Sequence, residues 1–285
     1  MSYSDESLKQ SELEILDVFV KICEQYSLRY FLAGGCAIGA IRHKGFIPWD
    51  DDIDVAMPRK DYEKFISISN SVLPKNLFLQ NHNTNSEYHQ GFSKIRNSNT
   101  TFIETPSRHL EMNHGIFIDV FPIDGVPRNF LLRELLFLKS KIVKVLLCRN
   151  MISEFHGVRK LLAKLICLFF REKDTVKILN EFEKLVRRYD YDDSNLTVCY
   201  FGAYGRNEYV EKAIYGEGFL ATFENRRIII PENYDKYLSM KYGDYMTLPP
   251  VDKRIGHHDA EVIDVDLPYT FYRNRYGVDL KKERK

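Results

Sequence analysis

The sequence predicts an α/β (α+β) fold: strands and helices interleaved over residues 1–127, a helical segment over 128–195 and a strand-and-helix extension over 196–285. Three observations predict it. Short apolar runs bounded by Gly, Asn and Ser alternate with stretches of helical period in the first part. Composition then shifts toward Leu, Lys and Arg, with a helical pattern for some sixty residues. Finally, strand-like runs and a hairpin pattern return before a Gly/Pro-punctuated tail.

Taken in order, residues 6–26 read as a helix, because Leu13, Leu16, Phe19 or Val20, and Cys23 recur at helical spacing. Residues 28–33 form a short apolar run ending in Gly34-Gly35, the pattern of a buried strand and a tight turn. A short helix over 36–42 is expected directly after the glycines, and its N-terminus would present free backbone N–H groups to an anion. A Gly-Gly pair is equally an ordinary turn. A strand over 53–57 follows, then Pro58 and a helix over 59–69. Further strands are expected over 77–80, 92–96, 101–104 and 115–120. Beyond the helical segment come a strand over 197–201, a hairpin over 219–230 turning at Glu224-Asn225, and a helix over 232–240.

The most informative stretch is residues 45–58, GFIPWDDDIDVAMP, with four aspartates at Asp50, Asp51, Asp52 and Asp54. If Ile53 and Val55 face a core, period-2 geometry turns Asp52 and Asp54 together to the other face. Carboxylates so close raise one another's pKa, and a hard divalent cation such as Mg²⁺ removes that conflict. A solvated acidic turn is the plain alternative. Asp119, alone in the apolar run GIFIDVFP, is either satisfied by a nearby Arg or a third metal ligand. Lys94 and Arg96 share a strand face that could meet phosphate, or simply water. In the tail, Lys253, Arg254, His257 and His258 fall within six positions. Paired histidines beside cations suit acid–base work, phosphate contact or metal ligation, against the alternative of an idle surface loop.

Net charge is +1 over 285 residues, so no global basic field points to nucleic acid. Hydrophobic content of 44% is ample for a sizeable core. The five cysteines are scattered, lack C-x-x-C spacing and read as reduced thiols of a cytoplasmic protein. The polar, acidic start carries no signal-peptide pattern, and no apolar run reaches the length that spans a bilayer. Residues 158–173, VRKLLAKLICLFFREK, could lie on an anionic membrane surface at the inner face, or form a core helix with a solvated rim.

Strand, Gly-Gly, short helix, Asp-x-Asp strand and a third Asp on a later strand together resemble the nucleotidyltransferase fold of the polymerase-beta superfamily. Residues 32–62, LAGGCAIGAIRHKGFIPWDDDIDVAMPRKDY, resemble more closely the signature of the LicD family, related to the fukutin branch. FSKIR at 92–96, GIFIDVFPID at 115–124, YGDYMTLPP at 242–250 and the Lys253–His258 cluster fit the same family. Where family members carry Gly-Thr-Leu after the first strand, this chain has Gly35-Cys36-Ala37, without the hydroxyl.

The resemblance implies a mixed sheet flanked by helices and a metal-dependent transfer of a phospho-alcohol from a CDP-linked donor to a sugar hydroxyl. CDP-choline is the first expectation for the donor, and teichoic acid, lipopolysaccharide or capsule glycan or glycolipid for the acceptor. It implies Asp52, Asp54 and Asp119 around Mg²⁺ or Mn²⁺, with Asp119, His257 or His258 handling the proton. Gly34, Gly35, Arg42, Trp49, Lys94, Arg96, Lys253 and Arg254 would contact the donor. Trp49 with Tyr242 and Tyr245 could cage a quaternary ammonium. The competing classes are a nucleotidyltransferase using an NTP and a non-catalytic, metal-dependent glycan-binding module.

Overall fold

The computed structural model describes residues 5–171, 174–256 and 258–275. Its centre is the strand β6 (Ile116–Gly125), flanked by β2 (Asp54–Pro58) on one side and β4 (Ser93–Asn97) on the other. β1 (Phe31–Leu32) continues the sheet beyond β2, and β3 (Leu77–Gln80) beyond β4, giving the order β1-β2-β6-β4-β3. β2 and β6 are parallel and the other pairs antiparallel, so the sheet is mixed, as the resemblance implied. β7 (Leu196–Val198) pairs with the far end of β6, and β8 (Tyr209–Glu211) pairs with β7.

Alternation along these strands divides the sheet into two chemistries. Val55, Met57, Ile95, Ile116, Ile118 and Val120 all point to one face and are completely buried. Two helices cover that face: α1 (Asp5–Tyr26) and α3 (Arg59–Val72). α1 turns Leu8, Ile15, Leu16, Phe19 and Cys23 inward at helical spacing, and Phe19 meets Phe65 of α3 edge-to-face at 5.3 Å. Each such fully buried side chain contributes roughly 1.5–3 kcal/mol of transfer free energy. α3 is fixed at its first residue by Arg59, whose guanidinium donates to both Asp124 oxygens at 2.7 and 2.8 Å. Its Tyr62 hydroxyl lies 2.8 Å from the Ser93 hydroxyl on β4.

α2 (Gly34–Arg42) begins on Gly34 itself, one residue after the Ala33 N–H has bonded the Asp54 carbonyl. The expected Gly-Gly turn is therefore the first turn of the helix, and Gly34 adopts φ +58° to enter it. The hairpin of β9 (Phe219–Phe223) and β10 (Arg226–Ile230) turns at Glu224 and Asn225, both at positive φ, as the sequence predicted.

The middle of the chain is helical, with α4 (Phe130–Leu147), α5 (Gly157–Phe169) and α6 (Thr175–Val186). α4 and α6 share a second apolar cluster with Phe92, Val198 and Phe201. The short α7 (Lys212–Tyr215) and α8 (Tyr234–Tyr242) follow. The sequence reading missed β8, and also β11 (Ala260–Asp264) and α9 (Tyr269–Arg275) in the tail. β11 pairs antiparallel with β5 (Thr101–Glu104) as a separate two-stranded ribbon. Among the described residues no helix is long and apolar enough to cross a membrane.

Candidate active site

The second face of the sheet carries the polar groups. Register sets Asp54 directly beside Asp119 on the parallel pair, and Asp119 directly beside Lys94 on the antiparallel one. Three ionisable side chains thus stand in a row across neighbouring strands about 4.8 Å apart. Lys94 Nζ lies 2.7 Å from Asp119 Oδ1, with side chains only 4% and 7% exposed, and 3.4 Å from the Phe117 ring centroid. A buried cation held by a carboxylate and an aromatic face is well compensated.

Asp52 precedes the row. Ile53 is fully buried, so Asp52 and Asp54 flank an inward side chain as the alternation predicted. The Cys36 thiol fixes this segment, donating to the Asp52 carbonyl at 3.3 Å and accepting the Asp54 N–H at 3.4 Å. Burial first, and the neighbouring carboxylates second, hold that thiol well above its ordinary pKa, so it stays protonated. The position that lacks the family hydroxyl is therefore a backbone clamp.

Gly34 and Gly35 seat α2 against the acids. A Cβ on Gly34 would stand 2.6 Å from Asp54 Oδ2, and one on Gly35 2.6 Å from Asp50 Oδ2. Only glycine permits this approach. The positive end of α2 therefore faces carboxylates.

The C-terminal ribbon delivers His258. Its ring rests edge-on against Phe102 of β5 at 5.8 Å and Phe117 of β6 at 5.5 Å. Its Nδ1 lies 3.2 Å from Asp51 Oδ1, its backbone N–H donates to Asp51 Oδ2, and its Nε2 is 4.0 Å from Glu104 Oε1. Burial opposes the charged ring, but the Asp51 hydrogen bond and the Asp52 charge carry its pKa to about 9. At neutral pH His258 is thus a cation, suited to meeting phosphate rather than to accepting a proton. His257 lies outside the described residues.

The carboxylates are frustrated. Burial, then neighbouring charges, raise Asp50 to about 6 and Asp52 to about 7, and push Asp54 well above its ordinary value. Beneath them Glu12 of α1 is 1% exposed, has an unpaired Oε2, and is raised by burial first and then by Asp52, Asp51 and Asp50. Among the described residues, the ligand atoms lying within 4.8 Å of one another are those of Asp51, Asp52 and His258. Asp52, Asp54 and Asp119 share the site without closing to that distance. These oxygen-rich donors fit a hard divalent cation, which would relieve the mutual repulsion.

The other expected contacts divide. Arg42, half-buried, donates to His43 Nε2 and the Tyr245 carbonyl, and burial together with Arg254 lowers its pKa. Arg254 lies 5.5 Å over the Trp49 ring and donates to the Pro249 carbonyl, while Lys253 is exposed. Arg42, Trp49 and Arg254 therefore belong to one cationic rim. Arg96 is wholly buried, its guanidinium donating to Gln80 Oε1 and the Gly115 carbonyl. It braces the strands under Lys94 rather than opening onto the rim. Each ring of the expected aromatic cage has another partner: Trp49 meets Arg254, Tyr242 meets Tyr204, and the Tyr245 hydroxyl donates to Asp235.

Sequence reasoning missed Glu104, Glu12 and the clamping role of Cys36. Glu12 left a legible signal, since it falls between Leu8 and Leu16 on the inward stripe of α1. Glu104 gave none, because its relation to His258 needs the ribbon. Burial raises its pKa, but Lys94, Arg96 and His258 together hold it lower.

These shifts fix a pH dependence. Between about pH 6.5 and 9 the folded state keeps a proton on His258 that the unfolded state releases, so stability falls as pH rises through that window; Asp52 acts in the same sense lower down, between about pH 4 and 7. His89 and His114, held neutral by burial with pKa near 4 and 3, act oppositely, but only below about pH 6.5. Chelator-treated protein is expected to melt progressively lower from pH 7 to 9, and His258→Asn to flatten that slope. An unchanged slope in the variant, read by differential scanning fluorimetry, would remove His258 from this account.

The profile of the family described as LicD/FKTN/FKRP, nucleotidyltransferase domain, matches residues 27–141, which contain Gly34, Gly35, the aspartates, Lys94 and Asp119. The chain is similar to lipopolysaccharide cholinephosphotransferase LicD of Haemophilus influenzae, at 31% identity over 255 residues, covering 87% of this chain and 94% of that protein. A shorter similarity, 38% over 42 residues, links it to an uncharacterized protein of Rickettsia typhi, across 15% of this chain and 14% of that one.

Proposed function

The chain belongs to the LicD family of phosphotransferases, and on that premise we propose that it transfers phosphocholine from CDP-choline to a sugar hydroxyl of a cell-surface glycan. The observation that carries this reading is the row Asp54, Asp119 and Lys94 in strand register, with Asp52 beside it. It supports the handling of a diphosphate on a face rich in carboxylates, with fixed cations at its edge. Similarity along nearly the whole of a protein named as a lipopolysaccharide cholinephosphotransferase supports choline and a glycan acceptor.

Asp52, Asp54 and Asp119 would hold Mg²⁺ or Mn²⁺. The bound ion supplies charge neutralisation of the donor diphosphate. Lys94 and His258, both packed against Phe117, steady the phosphate oxygens, and Arg42 and Arg254 hold the nucleotide end at the rim. The acceptor hydroxyl oxygen forms a bond to the choline-bearing phosphorus, and the bond from that phosphorus to the bridging oxygen breaks. CMP leaves with the electron pair, while Asp119 takes the hydroxyl proton. Trp49 offers an aromatic face to the trimethylammonium once Arg254 turns to the donor.

The test is CMP release from a panel of CDP-choline, CDP-ribitol, CDP-glycerol and CDP-ethanolamine with Mg²⁺ or Mn²⁺ and a glycan acceptor. Metal-dependent CMP release with CDP-choline alone, and choline appearing on the glycan, is the expected result. Pyrophosphate release from an NTP, with nucleotide left on the acceptor, would replace this reading by a nucleotidyltransferase.

A further inference from the structure

α4 and α5 present an apolar and strongly cationic surface that no other part of the described structure covers. α5 buries Ala163 alone. Leu131 of α4 is 76% exposed, and on α5 Val158, Leu168 and Phe169 are 73%, 80% and 84% exposed. The core-helix alternative for this segment is thereby overturned, since a core helix would bury its stripe. Over residues 128–171 the sequence has ten Lys or Arg against Glu134 and Glu154, a local balance of +8 in a chain of net +1. The surface is also braced: Arg149 donates to the Cys167 and Phe170 carbonyls at the end of α5, and Lys160 to the Ser153 carbonyl before it.

We infer that this face docks on an anionic lipid surface, with the apolar side chains of α4 and α5 entering the acyl boundary and Arg159 and Lys164 meeting headgroup phosphates. Charge decides among occupants. A second copy would set cations against cations, whereas an anionic bilayer offers complementary charge to exposed cations such as Arg159 and Lys164. At 13 residues α5 is too short to span the hydrocarbon, which needs about 20, so the geometry is one of lying in the interface. The inference goes beyond the proposed transfer and does not depend on it.

The experiment is flotation of the full chain with phosphatidylcholine vesicles, with and without phosphatidylglycerol. Wild-type protein is expected to float with the phosphatidylglycerol vesicles only, and less as salt rises. Each Lys or Arg near such a surface is worth about a five-fold gain in partition. Arg159→Glu with Lys164→Glu is therefore expected to weaken flotation at least about ten-fold, as is Leu165→Glu with Phe169→Glu. All four side chains are exposed, so the melting temperature of each variant should match wild type. Failure of the wild type to float, equal flotation on neutral vesicles, or variants that float like wild type would each overturn the inference. A wild-type dimer lost in Leu165→Glu with Phe169→Glu, without vesicle binding, would assign the face to a second copy. None of these outcomes touches CMP release in solution, so the two readings fail separately.

Discussion

Asp54→Asn is expected to lower the rate of CMP release from CDP-choline at least about a thousand-fold while raising the melting temperature of the metal-free protein. Both effects have one origin. Asp54 is pressed against Gly34, beside Asp119 in register and close to Asp52, and burial first and those charges second hold its pKa well above normal. Ionising it in the folded state is therefore unfavourable, and an amide of the same shape removes that cost. The same amide cannot supply the negative charge that a divalent ion needs. Initial rates at saturating donor, with melting curves taken in chelator, separate the two effects. A variant within about ten-fold of the wild-type rate would take Asp54 out of the site.

Lys94→Met is expected to destabilise the protein by about 3–5 kcal/mol and to reduce transfer by at least about a hundred-fold. Methionine can keep the contact with Phe117, so the loss isolates the charge. Without Lys94 Nζ at 2.7 Å, Asp119 is a carboxylate only 7% exposed with its cation gone. Combining Lys94→Met with Asp119→Asn should restore most of the stability and none of the activity, because the amide needs no counter-ion but binds no metal. Chemical denaturation of the two singles and the double supplies the cycle. Equal stabilities for Lys94→Met and wild type would show that the pair is not structurally coupled.

The sequence made legible whatever was periodic. α1 followed from its inward stripe, the β9–β10 hairpin from Glu224 and Asn225, and the outward pairing of Asp52 and Asp54 from Ile53 and Val55 between and beside them. Lys94 and Arg96 were correctly placed on one face by alternation, yet their roles differ. Only the register beside Phe78 and Phe117, with the hydrogen bond to Gln80, shows that Arg96 is buried under the site. The sequence puts the helix start two residues after Gly34 because a Gly-Gly pair is locally indistinguishable from a loop. β11 escaped because its sequence, AEVID, has weak strand character and its partner β5 lies far away in the chain. With β11 went the placement of His258 between Asp51 and Glu104. Cys36 looked like the absence of a hydroxyl and is instead the thiol that holds the Asp52–Asp54 backbone.

The pairing of His258 with Asp51 joins residues 207 positions apart, beside a ribbon whose two strands are themselves distant in sequence. Contacts of that separation form late, because the loop entropy between them must be overcome first. A chain emerging from the ribosome therefore exposes its acidic turn long before the imidazolium that balances it has been synthesised. During that interval the acidic turn has only the earlier cations Lys9 and Lys94 of its own chain to offset it. The late arrival of β11 and His258 thus converts a loose, charge-repelled cluster into a braced one.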